Sequence, residues 1–216
     1  FIGFQFRLPR YGSFGLSIEN FSVDYSGNSL SKETAIGIHQ GILLRTDRNS
    51  TLSFGYGIKS YVIDYGSSAG ASGDGSDGID LGSQSSWGLD IGLLASLADR
   101  IRFGAKAFNI NSPTLGEANS AVRLPQRAQV GIAFSPYDLV WTTASLTKSV
   151  GHPTHFHSGM SYEIQDNIFL KAGMQTNPNR FATGFGVYIK KVRIDYGLIT
   201  HPVLPLSHQL SIEVNR

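Results

Sequence analysis

The chain has no cysteine and only two methionines in 216 residues. The lack of cysteine excludes a disulfide framework and a thiolate metal site, and is compatible with an envelope protein. Charge of either sign is also not in excess: 18 Lys and Arg against 16 Asp and Glu leave a formal charge of +2. There is thus no broad electrostatic case for a nucleic-acid partner. No segment approaches the roughly 18 consecutive apolar residues of a membrane helix. That absence excludes a helical span and nothing more, because the strands of a transmembrane barrel hide their hydrophobicity in alternation. The chain opens on Phe1 with neither an initiator methionine nor a signal peptide, which is expected of a processed or incompletely represented chain.

What the sequence does have is glycine, 25 residues of it, and a period-2 rhythm that is clearest from residue 154 to the end. Strand-like segments at 154–164, 168–177, 180–189, 192–200 and 207–215 alternate apolar with polar residues, the signature of a sheet with two unlike faces. At 168–177, Ile168, Leu170, Ala172 and Met174 oppose Phe169, Lys171, Gly173 and Gln175. At 192–200, Val192, Ile194, Tyr196 and Leu198 oppose Arg193, Asp195, Gly197 and Ile199. The alternation alone does not say which face is inside.

The same reading upstream gives strands at 1–8, 13–25, 33–46, 50–65, 85–97, 101–111, 127–135 and 139–149, thirteen in all. The apolar parity flips between Ile18 and Phe21, which predicts a bulge near Glu19 and Asn20. Connections alternate in length: tight turns at Pro9, Asp47, Ala98, Pro136, Gln165 and Lys190, and longer or more variable links at 26–32, 66–84, 112–126, 150–153, 177–179 and 201–206. In a meander, alternate connections lie at one end, so one end has tight turns and the other long loops, as in outer-membrane barrels. The expected fold is all-β, a transmembrane up-and-down antiparallel barrel occupying 1–216 as one domain. Bacterial barrels have an even number of strands, so about fourteen are expected, with one upstream strand and any signal or plug segment outside this sequence.

If the apolar face meets lipid, the opposite face lines the lumen. It carries Arg7, Lys59, Asp90, Arg102, Lys106, Arg127, Glu163, Lys171, Arg180, Arg193, Asp195 and Glu213. A mid-membrane Arg or Lys on the lipid side costs roughly 2–4 kcal/mol, so these positions enforce the register. Mixed signs on neighbouring strands predict ion pairs that brace the wall, such as Arg193 and Asp195 near Glu213 and Lys190; the functional alternative is a selectivity lining. Phe134, Tyr137 and Tyr162 at the short-turn end and Trp87, Phe156 and Phe181 at the other suit interfacial aromatic girdles.

One run carries a resemblance: Asn177-Pro178-Asn179-Arg180-Phe181-Ala182-Thr183-Gly184-Phe185-Gly186, then Arg193-Ile194-Asp195-Tyr196, His201-Pro202-Val203-Leu204 and Ser207-His208-Gln209-Leu210-Ser211. It resembles the C-terminal hairpins of the PorV/PorQ group of outer-membrane proteins, related in architecture to FadL-type transporters of hydrophobic compounds. Leu124-Pro125 and the Tyr11-Gly12 turn add to the likeness. The resemblance implies a fourteen-stranded barrel in outer membranes of the Bacteroidota kind, and for some members a role in type IX secretion. The family's N-terminal plug segment has no counterpart in this sequence. The chain also ends in Glu213-Val214-Asn215-Arg216 rather than on the aromatic residue usual for barrel assembly, so a few further residues are expected.

Other chemistry finds thin support. His155 and His157 share a strand face with His152 nearby, and two such imidazoles can hold a metal, but no carboxylate sits at a diagnostic spacing. Asp74, Asp77 and Asp80 lie in a Gly-rich loop without the spacing of a calcium loop. Ser207, His208 and His201 are the one cluster suggesting hydrolysis, and no G-x-S-x-G elbow exists. The expectation is a non-enzymatic protein without cofactor. Three functions compete: a scaffold or partner-binding subunit of an envelope or secretion assembly, contacting other envelope proteins through the loops at 66–84 and 112–126; a FadL-like passive transporter of small hydrophobic solutes; and a soluble all-β ligand-binding domain.

Overall fold

The computed structural model describes residues 1–25, 28–68, 70, 71, 73, 77–116 and 121–215. Its strands are β1 (Ile2–Leu8), β2 (Gly12–Tyr25), β3 (Asn28–Asp47), β4 (Ser50–Asp64), β5 (Ser83–Leu97), β6 (Ile101–Phe108), β7 (Thr114–Leu115), β8 (Val122–Arg123), β9 (Arg127–Tyr137), β10 (Val140–Ser149), β11 (His155–Gln165), β12 (Ile168–Gln175), β13 (Arg180–Ile189), β14 (Val192–Ile199) and β15 (Ser207–Val214). Thirteen of them form one sheet in chain order, β9 following β6, and β7 pairs with β8 separately. The thirteen sheet strands are those that the alternation predicts. By contacts the chain divides into two units: Phe1–Leu44 with Ser53–Leu93 and Lys106–Gln126, and Arg45–Leu52 with Leu94–Ala105 and Arg127–Arg216.

In the first unit, β1 and β2 set like against like. Ile2 faces Ile18, Phe4 faces Leu16 and Phe6 faces Phe14, the last two rings stacked at 5.7 Å. The turn between these strands needs a glycine at its end. Gly12 has a φ of +94°, and a Cβ there would strike the carbonyl of Gly41 on β3. The bulge expected at Glu19 and Asn20 is absent: the β2–β3 register runs unbroken from Ser13↔Gly41 to Val23↔Ser31, and shifts only between Val23 and Asp24. Phe21 and Val23 therefore stay on the face of Ser17 and Glu19. The reason is length. The 20 residues of β3 extend for about 66 Å at ~3.3 Å per residue, whereas about 9–11 residues span a bilayer. Past the hydrocarbon no face has to be apolar, so the parity can change without a backbone irregularity.

Two connections are more ordered than loops read from sequence. The segment 26–32 is largely the start of β3, although positions 26 and 27 lie outside the described residues. The stretch 112–126 holds the β7–β8 hairpin, with Thr114 opposite Arg123 and Leu115 opposite Val122. Strand β6 stops at Phe108, short of the expected 111, because Asn109 takes a left-handed φ of 55°.

In the second unit, β9 to β15 pair neighbour to neighbour from Arg127 to Val214. Two-residue turns at Asp166-Asn167 and Lys190-Lys191 fix the register, with Asn167 and Lys190 at positive φ. Arg100 ties two short turns together: its guanidinium donates to the carbonyl of Pro136 (3.2 Å) and pairs with Asp138 (2.7 Å).

The two faces of the strands are unequally covered. On β12, Ile168, Leu170 and Met174 are exposed, and Phe169, Lys171, Gly173 and Gln175 between them are half-buried. Leu16, Ile38, Ile58, Leu93, Ile132, Phe185 and Ile212 are all exposed, whereas the buried polar side chains include Ser17, Asp90, Asn109, Ser135 and Thr147. Among the described residues only Leu115 is a buried large hydrophobic side chain. A water-soluble sheet has the reverse arrangement, because exposed apolar surface on this scale costs free energy in water. Leu170→Arg or Ile194→Arg is expected to abolish assembly into membranes, at about 2–4 kcal/mol per charge; Gln175→Arg on the other face should assemble normally. Fractionation of the three variants, with cold and boiled gel mobility as the measure of folding, checks this. Equal assembly of all three would overturn the face assignment.

Candidate functional site on the covered polar face

Alternation delivers every second side chain of a strand to the covered face, where burial forces polar groups to find partners. In the first unit they form three local groups of contacts. Ser17 Oγ lies 3.0 Å from His39 Nε2. Lys59 Nζ donates to Glu19 at 3.1 Å. Asp90, only 2% exposed, accepts from the Asn109 backbone N–H at 3.1 Å and faces Lys106 Nζ at 3.6 Å. Tyr61 donates to Asn109 Oδ1 (3.0 Å), and Asn109 Nδ2 donates to the Pro125 carbonyl (3.2 Å). This last bond, with that from Gln126 to the Ile110 carbonyl, ties down the stretch that carries the β7–β8 hairpin and its buried Leu115. Small neighbours make room for the His39 ring: a Cβ at Gly37 would stand 2.5 Å from its Nε2.

In the second unit the centre is Asp195. Lys171 Nζ reaches it at 2.5 Å and Arg193 Nε at 2.7 Å. Arg193 also donates to Tyr188 (3.1 Å) and lies over that ring, which meets Phe169 edge-on at 5.6 Å. Arg193 pairs with Asp195 two residues along its own strand, not across strands with Glu213 as the sequence reading expects. The cross-strand partner of Asp195 is Lys171, however, not Lys190. Phe169, Gly186 and Asp195 stand in register across β12, β13 and β14, and Lys171 lies one row along on β12, reaching Asp195 across β13, whereas Lys190 lies in the turn. Glu213 sits opposite Arg193 in register and is exposed.

The remaining predicted lining residues are spread along the same face. Arg102 lies 4.4 Å from the Trp141 ring centre. Lys106 packs over Phe108 as well as facing Asp90. Glu163 accepts the Asn167 N–H at 3.2 Å and so caps a turn. Arg7 stands opposite Ser13, and Arg127 opposite Ser149. Arg180 stands opposite Gln175. Sequence reasoning missed Ser17, His39, Tyr61, Asn109 and Trp141. The available signal was parity: His39 shares a face with Gly37 and Gly41, small residues that leave space for a ring.

The other candidates resolve into local roles. The rings of His155 and His157 are 6.4 Å apart, and His155 Nδ1 meets the Thr176 carbonyl at 3.3 Å. Among the described residues no three His, Cys, Asp or Glu groups converge as a metal site. Asp74 lies outside the described residues; Asp77 and Asp80 accept amide hydrogens of their own loop, from Ala71 and Gly82. His208 faces Tyr196 (2.7 Å) on the exposed apolar side, and His201 Nδ1 accepts from the amides of Val203 and Leu204.

No family model matches the chain, and no curated protein does. Solved structures do. The toluene transporter TodX of Pseudomonas putida aligns over 97% of this chain and 79% of its own, with a TM-score of 0.61 at 11% identity. A second structure of TodX aligns over 87% and 71%, with a TM-score of 0.56 at 11% identity. A Pseudomonas aeruginosa FadL homologue aligns over 91% of this chain and 68% of its own, with a TM-score of 0.56 at 14% identity. The chain has a FadL-like transmembrane β-barrel fold. With apolar strand faces that are stable only against hydrocarbon, it is a multi-pass protein of the outer membrane.

Asp195 neutralises two cations, so Asp195→Asn should destabilise the protein more than Lys171→Met, which leaves Asp195 paired with Arg193. Losses of about 1–3 kcal/mol and under about 1 kcal/mol are expected at these partly covered positions. Melting of the folded band on gels, run as a temperature series, measures the difference; an equal effect of both variants would refute the sharing.

Proposed function

We propose that the protein is a non-enzymatic, passive transporter of small hydrophobic solutes across the outer membrane. The observation that carries this reading is the alignment of 97% of the chain with a structure described as a toluene transporter. The interior chemistry supports it. Charges on the covered face are mostly matched locally, as at Asp90 with Lys106 and Asp195 with Lys171 and Arg193. Such a wall presents little net field to an uncharged solute. The groups that hydrolysis would need, His201 and His208, are each engaged elsewhere.

A second reading has its own observation. Apolar side chains also stand exposed on connections, Ile79 at 77% and Val203 at 87%, where no lipid requires them. They suit a protein partner, and with the PorV/PorQ resemblance they support a scaffold subunit of an envelope assembly, of the type IX secretion kind in Bacteroidota. The two readings separate in one experiment. Cells whose outer membrane lacks other such transporters should take up labelled toluene several-fold faster when they produce this chain. Unchanged uptake, with large envelope proteins co-purifying with the barrel, would overturn transport in favour of the scaffold.

A further inference from the structure

Asp90, on the covered face of the first unit, is satisfied only in part. It is 2% exposed, and its Oδ1 accepts the Asn109 N–H at 3.1 Å. Its Oδ2 is buried and accepts no hydrogen bond from the described residues. Lys106 Nζ stands 3.6 Å from Oδ2. That distance balances the charge but is too long for a hydrogen bond. A covered carboxylate oxygen without a donor is costly, so the position favours a ligand that supplies one.

The surroundings leave one side open. Asn109, 9% exposed, is held on three sides: its N–H goes to Asp90, its Oδ1 takes the Tyr61 hydroxyl, and its Nδ2 reaches the Pro125 carbonyl. A Cβ at Gly88, two residues before Asp90 on the same face, would strike Asn109 Oδ1 and the Tyr61 ring, so that flank is filled. Lys106 is the open side. Its side chain is 43% exposed and its Nζ lies 4.1 Å from the centre of the Phe108 ring. A ligand therefore reaches Oδ2 past an ammonium and an aromatic ring.

That order of groups excludes most chemistries. Lys106 repels a metal ion or an ammonium, and no three His, Cys, Asp or Glu groups converge among the described residues. Asp90 repels a carboxylate. A hydrocarbon has no hydrogen to donate. A neutral hydroxyl meets both demands: it donates to Oδ2 and accepts from Nζ, with charge assistance at each end. Two atoms 3.6 Å apart both lie within hydrogen-bond reach of a single oxygen.

We propose that Asp90 and Lys106 form a subsite for the hydroxyl of a small neutral alcohol, with Phe108 against its apolar body. This rests on the transport reading and narrows it: the preferred cargo is uncharged and carries one hydroxyl. Asp90 Oδ2 accepts the hydroxyl hydrogen, Lys106 Nζ donates to its oxygen, and Asn109 holds the carboxylate in place.

The test uses the full chain, purified in lauryldimethylamine oxide, a detergent without hydroxyl groups. Two probes are titrated calorimetrically: benzyl alcohol, and benzyl methyl ether, which keeps the ring and the oxygen but has no hydrogen to donate. The wild type should bind the alcohol at least about tenfold more tightly than the ether. Asp90→Asn keeps an acceptor for the Asn109 N–H and puts an amide nitrogen in place of Oδ2. It should weaken the alcohol about tenfold and leave the ether unchanged. Cold against boiled gel mobility verifies its folding, and the comparison of probes in the wild type stands without it. Equal binding of alcohol and ether assigns Oδ2 to an ordered water only and overturns the subsite, as does full alcohol affinity in folded Asp90→Asn. Displacement of the alcohol by an equal concentration of benzylammonium overturns the hydroxyl assignment in favour of a cation. Toluene uptake without a preference for the alcohol removes the subsite and leaves transport standing; alcohol binding without uptake of any solute does the opposite.

Discussion

Hydrocarbon offers no hydrogen bonds, so each amide and carbonyl inside a bilayer must be satisfied by the protein itself. For a chain without an apolar helix the solution is strands paired with their neighbours, and this sequence provides it from β2 to β14 by folding each strand back on its predecessor in the sheet. Pairing then dictates the rest. Once the turns at Asp166-Asn167 and Lys190-Lys191 set the register, Lys171, Asp195 and Arg193 share one face and Leu170, Ile194 and Ile212 the other. A slip of one residue would exchange the two sets.

The covered face has a charge problem of its own. Burying isolated cations is expensive, and the protein offsets the cost by sharing few carboxylates among several donors. Asp195 serves two side chains, and Asp90 serves Lys106 and a backbone amide. The aromatic rings of Trp141, Tyr188 and Phe108 take up further cationic charge. This economy leaves several charges of the covered face matched locally.

Strand positions and faces were legible in the sequence, because alternation and turn residues act locally and the bilayer enforces both. What was not legible depended on structure beyond one strand. The flip at Phe21 looked like a bulge because lipid was assumed to demand apolar parity along the whole of β2. The β7–β8 hairpin escaped notice because two-residue strands carry no measurable period. His39 and Asn109 gave no sign of their roles, since their partners lie 22 and 48 positions away, at Ser17 and Tyr61. For the pairing of Asp195, proximity in the chain suggested Lys190, whereas Lys171 reaches it from β12, across the intervening β13.

The length of β3 has a practical outcome. Its 20 residues are about twice what a bilayer needs, and the surplus of the β2–β3 ladder, near Phe21 and Val23, does not have to lie in hydrocarbon. Peptide inserted at that tip would not have to cross oil and would leave the lipid-bound register undisturbed. The surplus of the ladder is a natural grafting point for an epitope or fluorophore.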